Sequence, residues 1–185
     1  MRHDRLWATA FLVGAIFTTP LYAAGWNPQG QTQQLEAVQE TIAAFQAADP
    51  SLDVYFKKAH GYVVFPFIGK GGFVFAGAFG RGLVYEKGAP VGRASVTQVT
   101  FGLQIGGQAL SEILFFKDQA TLNRFKAGLI ELSANASAVV ATAGAAAQTS
   151  YDSTGVAVFV HVKGGAMLEA AVGGQKFAYE PGLQD

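Results

Sequence analysis

The chain has no cysteine. That removes disulfides, thiolate nucleophiles, Cys-ligated metal sites and any thiol that could carry a lipid anchor. Charge is scarce: 14% of residues are charged, against roughly 25% in ordinary soluble domains. The formal net charge is zero, so nothing steers the chain as a whole toward nucleic acid. There are three histidines, His3, His60 and His161, and no His-x-x-x-His or closely spaced His/Glu pair. No metal site is expected. The order Gly-x-x-x-x-Gly-Lys-Ser/Thr is missing. Gly77-x-x-Gly80-x-Gly82 is not Gly-x-Gly-x-x-Gly, so phosphate-cradling nucleotide motifs are absent too. No cofactor and no catalytic residue is expected, and the chain reads as a non-enzyme. General acid–base work needs positioned groups with tuned pKa values. Here Glu86, Glu112, Glu131, Glu169 and Glu180 are scattered over separate elements.

What the chain does have is apolar residues, at 50%, with 23 glycines and 15 phenylalanines. At 185 residues it is long enough for one domain with a substantial core. Arg2 and Arg5, an apolar run from Leu6 to Phe17, and Pro20-Leu21-Tyr22-Ala23-Ala24 read as a secretory signal peptide over residues 1–23. The run is short for a transmembrane helix, which takes about 20 apolar residues; a retained anchor is the alternative. Removing this segment takes away Arg2, Arg5 and Asp4 and leaves a net charge near −1. Residues 24–185 are expected to form one domain, periplasmic or secreted, with peripheral membrane attachment as an option.

The organising stretch is Gly61 to Glu86. Its short aromatic and β-branched runs are cut by Gly69, Gly71 and Gly72, then by Gly80 and Gly82. Residues 155–180 repeat it: Phe159 answers Phe65, Lys163-Gly164-Gly165 answers Lys70-Gly71-Gly72, and Tyr179-Glu180 answers Tyr85-Glu86. Runs between glycines predict strands joined by tight turns, hence two related β-meanders, 61–86 and 155–180. Pro66 lacks an N–H donor and predicts an edge or a bulge. Between the repeats, Thr97 to Gln108 alternates as a strand, Ile113 to Phe116 is a strand or a helical turn, and Asp118 caps a helix over Gln119 to Lys126. Gly88-Ala89-Pro90 reads as a loop. Leu129 to Gln148 is ambiguous; its alternation favours a strand to about Val140, its alanines a helix.

Ahead of the repeats, Leu35, Val38, Ile42 and Phe45 recur at helical spacing with Glu36, Gln39 and Glu40 opposite. Asp49 can cap a second helix that starts at Pro50 and ends near Gly61. The fold class is α+β: a strongly curved antiparallel sheet or incomplete β-barrel, with an internally duplicated Gly-rich β-meander, covered by short helices. The cations Lys57, Lys58, Lys70, Arg81 and Lys163 flank the Phe-rich repeats. If the two Gly-Gly turns point the same way, they form a basic rim beside apolar loops. Cations near an anionic surface contribute about 1 kcal/mol each, and a buried Phe about 1.5–3 kcal/mol. That combination suffices for weak membrane binding.

The motifs His60-Gly61-Tyr62-Val63-Val64-Phe65-Pro66, Lys70-Gly71-Gly72 and Gly80-Arg81-Gly82 resemble the SYLF domain family. So do Phe101 to Gln108, Phe125-Lys126-Ala127-Gly128, Ala134-Asn135-Ala136-Ser137 and residues 165–181. The nearest kin look like its secreted bacterial branch, related to fungal actin-binding members. The resemblance implies phospholipid binding as the shared activity, which in eukaryotic members is attributed to an N-terminal amphipathic helix and basic residues. That helix would be Gln34 to Ala48 here, but it carries no lysine or arginine. The basic role could pass only to Lys57 and Lys58. The expected partner is therefore phospholipid or an anionic membrane surface, or else a protein of the envelope; nucleic acid is not expected. A structural or protein-interaction module without a specific lipid is the competing reading.

Overall fold

The computed structural model describes residues 28–133, 138–140 and 144–183. Residues 1–23, expected as a signal peptide, and Ala134 to Ser137 lie outside the described residues.

Helix α1 (Pro28–Ala48) is followed by a 3-10 turn (Pro50–Leu52) and helix α2 (Asp53–Lys58). Strand β1 (Gly61–Glu86) leads through a two-residue turn to β2 (Ala89–Phe116). Then come α3 (Gln119–Lys126), β3 (Glu131–Ser133), β4 (Ala138–Val140), α4 (Ala145–Gln148) and β5 (Val156–Pro181). The sheet order is β1-β2-β5-β3, with β4 also on β5. The pairings are antiparallel except β4 on β5, which is parallel. This is the expected α+β class with a strongly curled sheet.

The expected turns inside the two repeats are not turns. Each repeat is one long strand, and the two flank β2 on opposite sides. At the glycines the chain stays paired: Gly71 faces Gly107 and Gly72 faces Gly106. Positions without side chains let a strand bend hard without leaving the ladder. The bend folds β1 back on itself. A Cβ at Gly82 would strike the Val64 carbonyl and lie 2.8 Å from the Phe65 ring, and one at Gly80 would lie 2.8 Å from the Phe67 carbonyl. Pro66 sits in a register shift between Phe65 and Ile68 on an edge strand, as its missing donor requires. The β1–β2 turn is Lys87-Gly88, with φ of 51° and 81°. Positive φ at both central residues is the hairpin geometry that matches strand twist. Ala89 and Pro90, expected in a loop, are already in β2.

Two cores result. The inner one draws Val63, Phe65 and Val84 of β1, Val96 and Phe116 of β2, and Phe177 of β5 into one cluster with Leu122 and Phe125 of α3. Residues from both halves of each strand meet there, so the ribbon encloses its own core. The outer one packs Val38 and Phe45 of α1, and Leu52 and Tyr55, on Val64, Tyr85, Phe115 and Phe159. Helix α3 has the expected bounds, and Asp118 accepts from the Thr121 N–H at 2.9 Å. The ambiguous stretch contains both forms: β3 and β4, then a four-residue helix.

Replacing Gly82 with Ala is expected to lower stability by about 1–3 kcal/mol, because backbone must move to admit the methyl group. At Gly164 a Cβ meets nothing within 4 Å, so Gly164→Ala should stay within about 0.5 kcal/mol of wild type. Urea denaturation of the two variants measures the contrast.

Candidate functional site

The five candidate cations fall into three groups rather than one rim. Lys57 and Lys58 end α2, both exposed, and Lys57 lies 3.9 Å from Asp53 in the same helix. Lys70 and Lys163 sit within strands rather than at turns. Lys70 pairs with Gln108, which pairs with Gly165 on the other side, two residues past Lys163. Arg81 lies farther along β1, opposite Ser95. The physical reason is the continuous strand: Lys70 and Lys163 stay within paired ladders, and Arg81 lies between Gly80 and Gly82, on the half of β1 that folds back against Phe67 and Val64.

Helix α1 does not present an apolar face. Its stripe is used against the sheet, with Val38 and Phe45 fully buried and Leu35 and Ile42 packed beside them. Glu36, Gln39 and Glu40 are the exposed side. The lipid contact implied for Gln34 to Ala48 is therefore closed in this conformation.

Two clefts lie at opposite ends of α1. The first, about 430 Å³, separates α2 from α4 and is lined by Val54, Tyr55, Ala146, Tyr151 and Lys58, among others. Asp49 builds it. This buried carboxylate caps the 3-10 turn, accepting from Ser51 N at 3.0 Å, and reaches across to Gly144 N at 3.0 Å and Ala146 N at 2.7 Å. The Ser51 hydroxyl accepts from Ala147 N at 3.0 Å, and the Tyr55 hydroxyl donates to the Thr149 carbonyl at 2.6 Å. Burial pushes the Asp49 carboxyl up, but the hydrogen bonds from Ser51, Ala146 and Gly144 outweigh it and leave the pKa lowered. Val54, half exposed, and Lys58 put an apolar wall and an ammonium side by side.

The second cleft, about 510 Å³, opens on the outer face of the sheet, with Gln34 of α1 at its edge. Phe79 and Arg81 of β1, Arg93 and Ser95 of β2, and Glu180 of β5 line it. Arg81 lies over the Phe79 ring at 5.7 Å. Arg93 was visible in the sequence as one more cation near the first repeat. The signal that joins it to Arg81 is the hairpin register, counted back from the Lys87-Gly88 turn.

Glu86 partners both Lys126 and His60. Glu86 accepts from Lys126 at 2.7 Å and lies 3.2 Å from His60, tying α3 to both ends of β1. The Lys126 hydrogen bond, with His60 adding to it, lowers the Glu86 pKa. Neither cleft is lined by these residues. His161 packs edge-on against Phe45 at 5.8 Å. Among the described residues no group of three or more His, Asp or Glu could hold a metal, and no helix is long and apolar enough to cross a membrane.

Residues 97–180 match the family model described as Ysc84, Las17-binding protein actin regulator. The matched stretch runs from β2 through β5 and includes the central pair of the sheet. Over that stretch the chain is similar to the SYLF family, in line with the sequence motifs. That family is consistent with lipid or membrane binding. No curated protein matches the chain.

Asp49→Ala leaves the Gly144 and Ala146 N–H groups without their acceptor. It should cost about 3 kcal/mol, the scale of hydrogen bonds to a charged group, measured by thermal or urea unfolding. Glu112 gives a pH test. It is buried, accepts from Gln175 at 3.1 Å through Oε2, and leaves Oε1 unpartnered. Burial pushes its pKa from 4.5 up to about 7. The folded state then holds the proton more tightly than the unfolded chain. Stability should fall as pH rises through the window from about 4.5 to 7, by up to about 3 kcal/mol. Glu112→Gln should flatten that fall; an unchanged profile contradicts it.

Proposed function

We propose that this chain is a non-enzymatic protein of the bacterial envelope that binds phospholipid or the membrane surface reversibly from the periplasmic or exported side. The observation that carries the reading is the α2–α4 cleft. It places a mostly apolar trough of about 430 Å³ beside Lys58, with Lys57 next to it. A phospholipid has the matching form, an anionic phosphate joined to apolar chains. Lysines supply the long-range attraction, falling off within a Debye length, and the trough supplies apolar burial. The family match supports the same reading at its coarser level.

The description of the matching family model speaks of Las17 binding and actin regulation, which favours a protein partner as the second reading. It would use the exposed apolar residues, such as Phe67 at 57% and Phe79 at 52% exposure, without need of anionic lipid.

Sedimentation with vesicles decides between them. The protein from Ala24 onward is expected to pellet with vesicles containing phosphatidylglycerol, more at low salt than at high salt. Lys57→Ala/Lys58→Ala should weaken the partition by about 2 kcal/mol if both reach the surface. Failure to pellet with neutral or anionic vesicles at any salt ends the membrane reading.

A further inference from the structure

We propose that the cleft between Arg81 and Arg93 is a binding site for a phosphate group carried on an apolar body, the headgroup phosphate of a lipid. The membrane reading above bears on this only as the source of the phosphate; the site itself rests on its own geometry.

The two arginines stand on neighbouring strands in diagonal positions. Arg81 pairs with Ser95, and Leu83 pairs with Arg93, so both project from one face with their Cα atoms about 7–8 Å apart. Two guanidiniums on side chains rooted so and lining one cleft can bracket one tetrahedral anion, each offering parallel N–H donors. Among the described residues no carboxylate oxygen comes within 4.0 Å of either guanidinium. Both line one cleft whose single carboxylate, Glu180, stands directly across the ladder from Arg93, so the lining keeps one positive charge in excess. Arg81 is also held in place, its guanidinium lying over the Phe79 ring. Ser95 adds a hydroxyl donor between the two, and Gln34 adds an amide from α1.

The rest of the cleft selects what the phosphate is attached to. The volume of about 510 Å³ exceeds what a bare phosphate needs. Phe79 is 52% exposed, and Val99, its diagonal neighbour across the ladder, is 50% exposed. An anion bound at the arginines would thus have an apolar surface beside it. Glu180 of β5 lines the cleft on the other side of Arg93 from Arg81, directly across the ladder from Arg93. Its carboxylate repels a second negative charge on that side, which favours a phosphodiester over a doubly charged phosphate.

The test has a membrane arm and a soluble arm. In the first, Arg81→Gln/Arg93→Gln is compared with wild type for pelleting on phosphatidylcholine vesicles containing phosphatidylglycerol. Removing both cations should weaken binding about thirtyfold, roughly fivefold for each. Lys117→Gln/Arg124→Gln removes two exposed cations outside the cleft and should change it little. Glu180→Gln should strengthen binding several-fold, a gain that misfolding cannot mimic. In the second arm, inorganic phosphate is titrated at constant ionic strength while amide NMR signals are followed. Shifts centred on Phe79, Arg81, Arg93 and Ser95 are expected.

Shifts in the cleft without vesicle binding support the site with free phosphate as its ligand and remove the membrane reading. Vesicle binding that survives loss of both arginines, with no phosphate shifts, overturns the site and leaves the membrane reading standing. An equal loss in the Lys117/Arg124 control means bulk charge alone and also overturns the site.

Discussion

The structure depends on a close approach of backbone to backbone. Gly82 lies against the Val64 carbonyl and Gly80 against that of Phe67, and both contacts are within one strand. A strand of that length left straight would run far past any core it could share. Folded on itself, it brings Val63 and Val84 into one cluster. The inner core, the seat of α3 and the outer platform for α1 follow from that fold-back. Side chains at these glycines would hold the halves apart, and the interior would lose the packing density on which stability rests.

The same bend decides where chemistry can appear. On the inner face, polar groups such as Glu112, Gln98 and Thr100 are buried and act on stability. On the outer face, α1 covers one part and leaves the stretch around Arg81 and Arg93 open. Cations that follow one another in the sequence are thereby divided among surfaces with different neighbours. Lys58 adjoins an apolar trough, while Arg81 shares a cleft with Arg93 and Glu180.

Local signals were legible where local chemistry decides the outcome. Asp118 with Thr121, Asp49 with Ser51 and the missing donor of Pro66 each act within a few residues, and each element lies where those residues predict. Glycine was legible as punctuation but not in kind, since a bend and a turn draw on the same freedom at φ and the same lack of a side chain. Only the partner glycines at Gly106 and Gly107 decide between them, and pairing across strands is not local. The Arg81–Arg93 cleft was hidden for a related reason. The register shifts between Val84 and Tyr85, and a one-residue slip moves a strand's side chains to the opposite face. Counting from the turn without that shift would put Arg93 on the wrong side of the sheet.

The central position of β2 also has a kinetic side. Its hairpin with β1 closes through two residues, Lys87 and Gly88, whereas pairing with β5 must first close the chain over residues 117–155. Closing the longer loop costs more entropy, and contacts of high sequence separation form more slowly. In any chain that has made the hairpin but not yet docked β5, one edge of β2 offers a row of unpaired amides and carbonyls. That edge can accept a strand from another molecule as readily as its own. The duplicated strands make such a mistake easier, because β1 and β5 present related sequences to the same template.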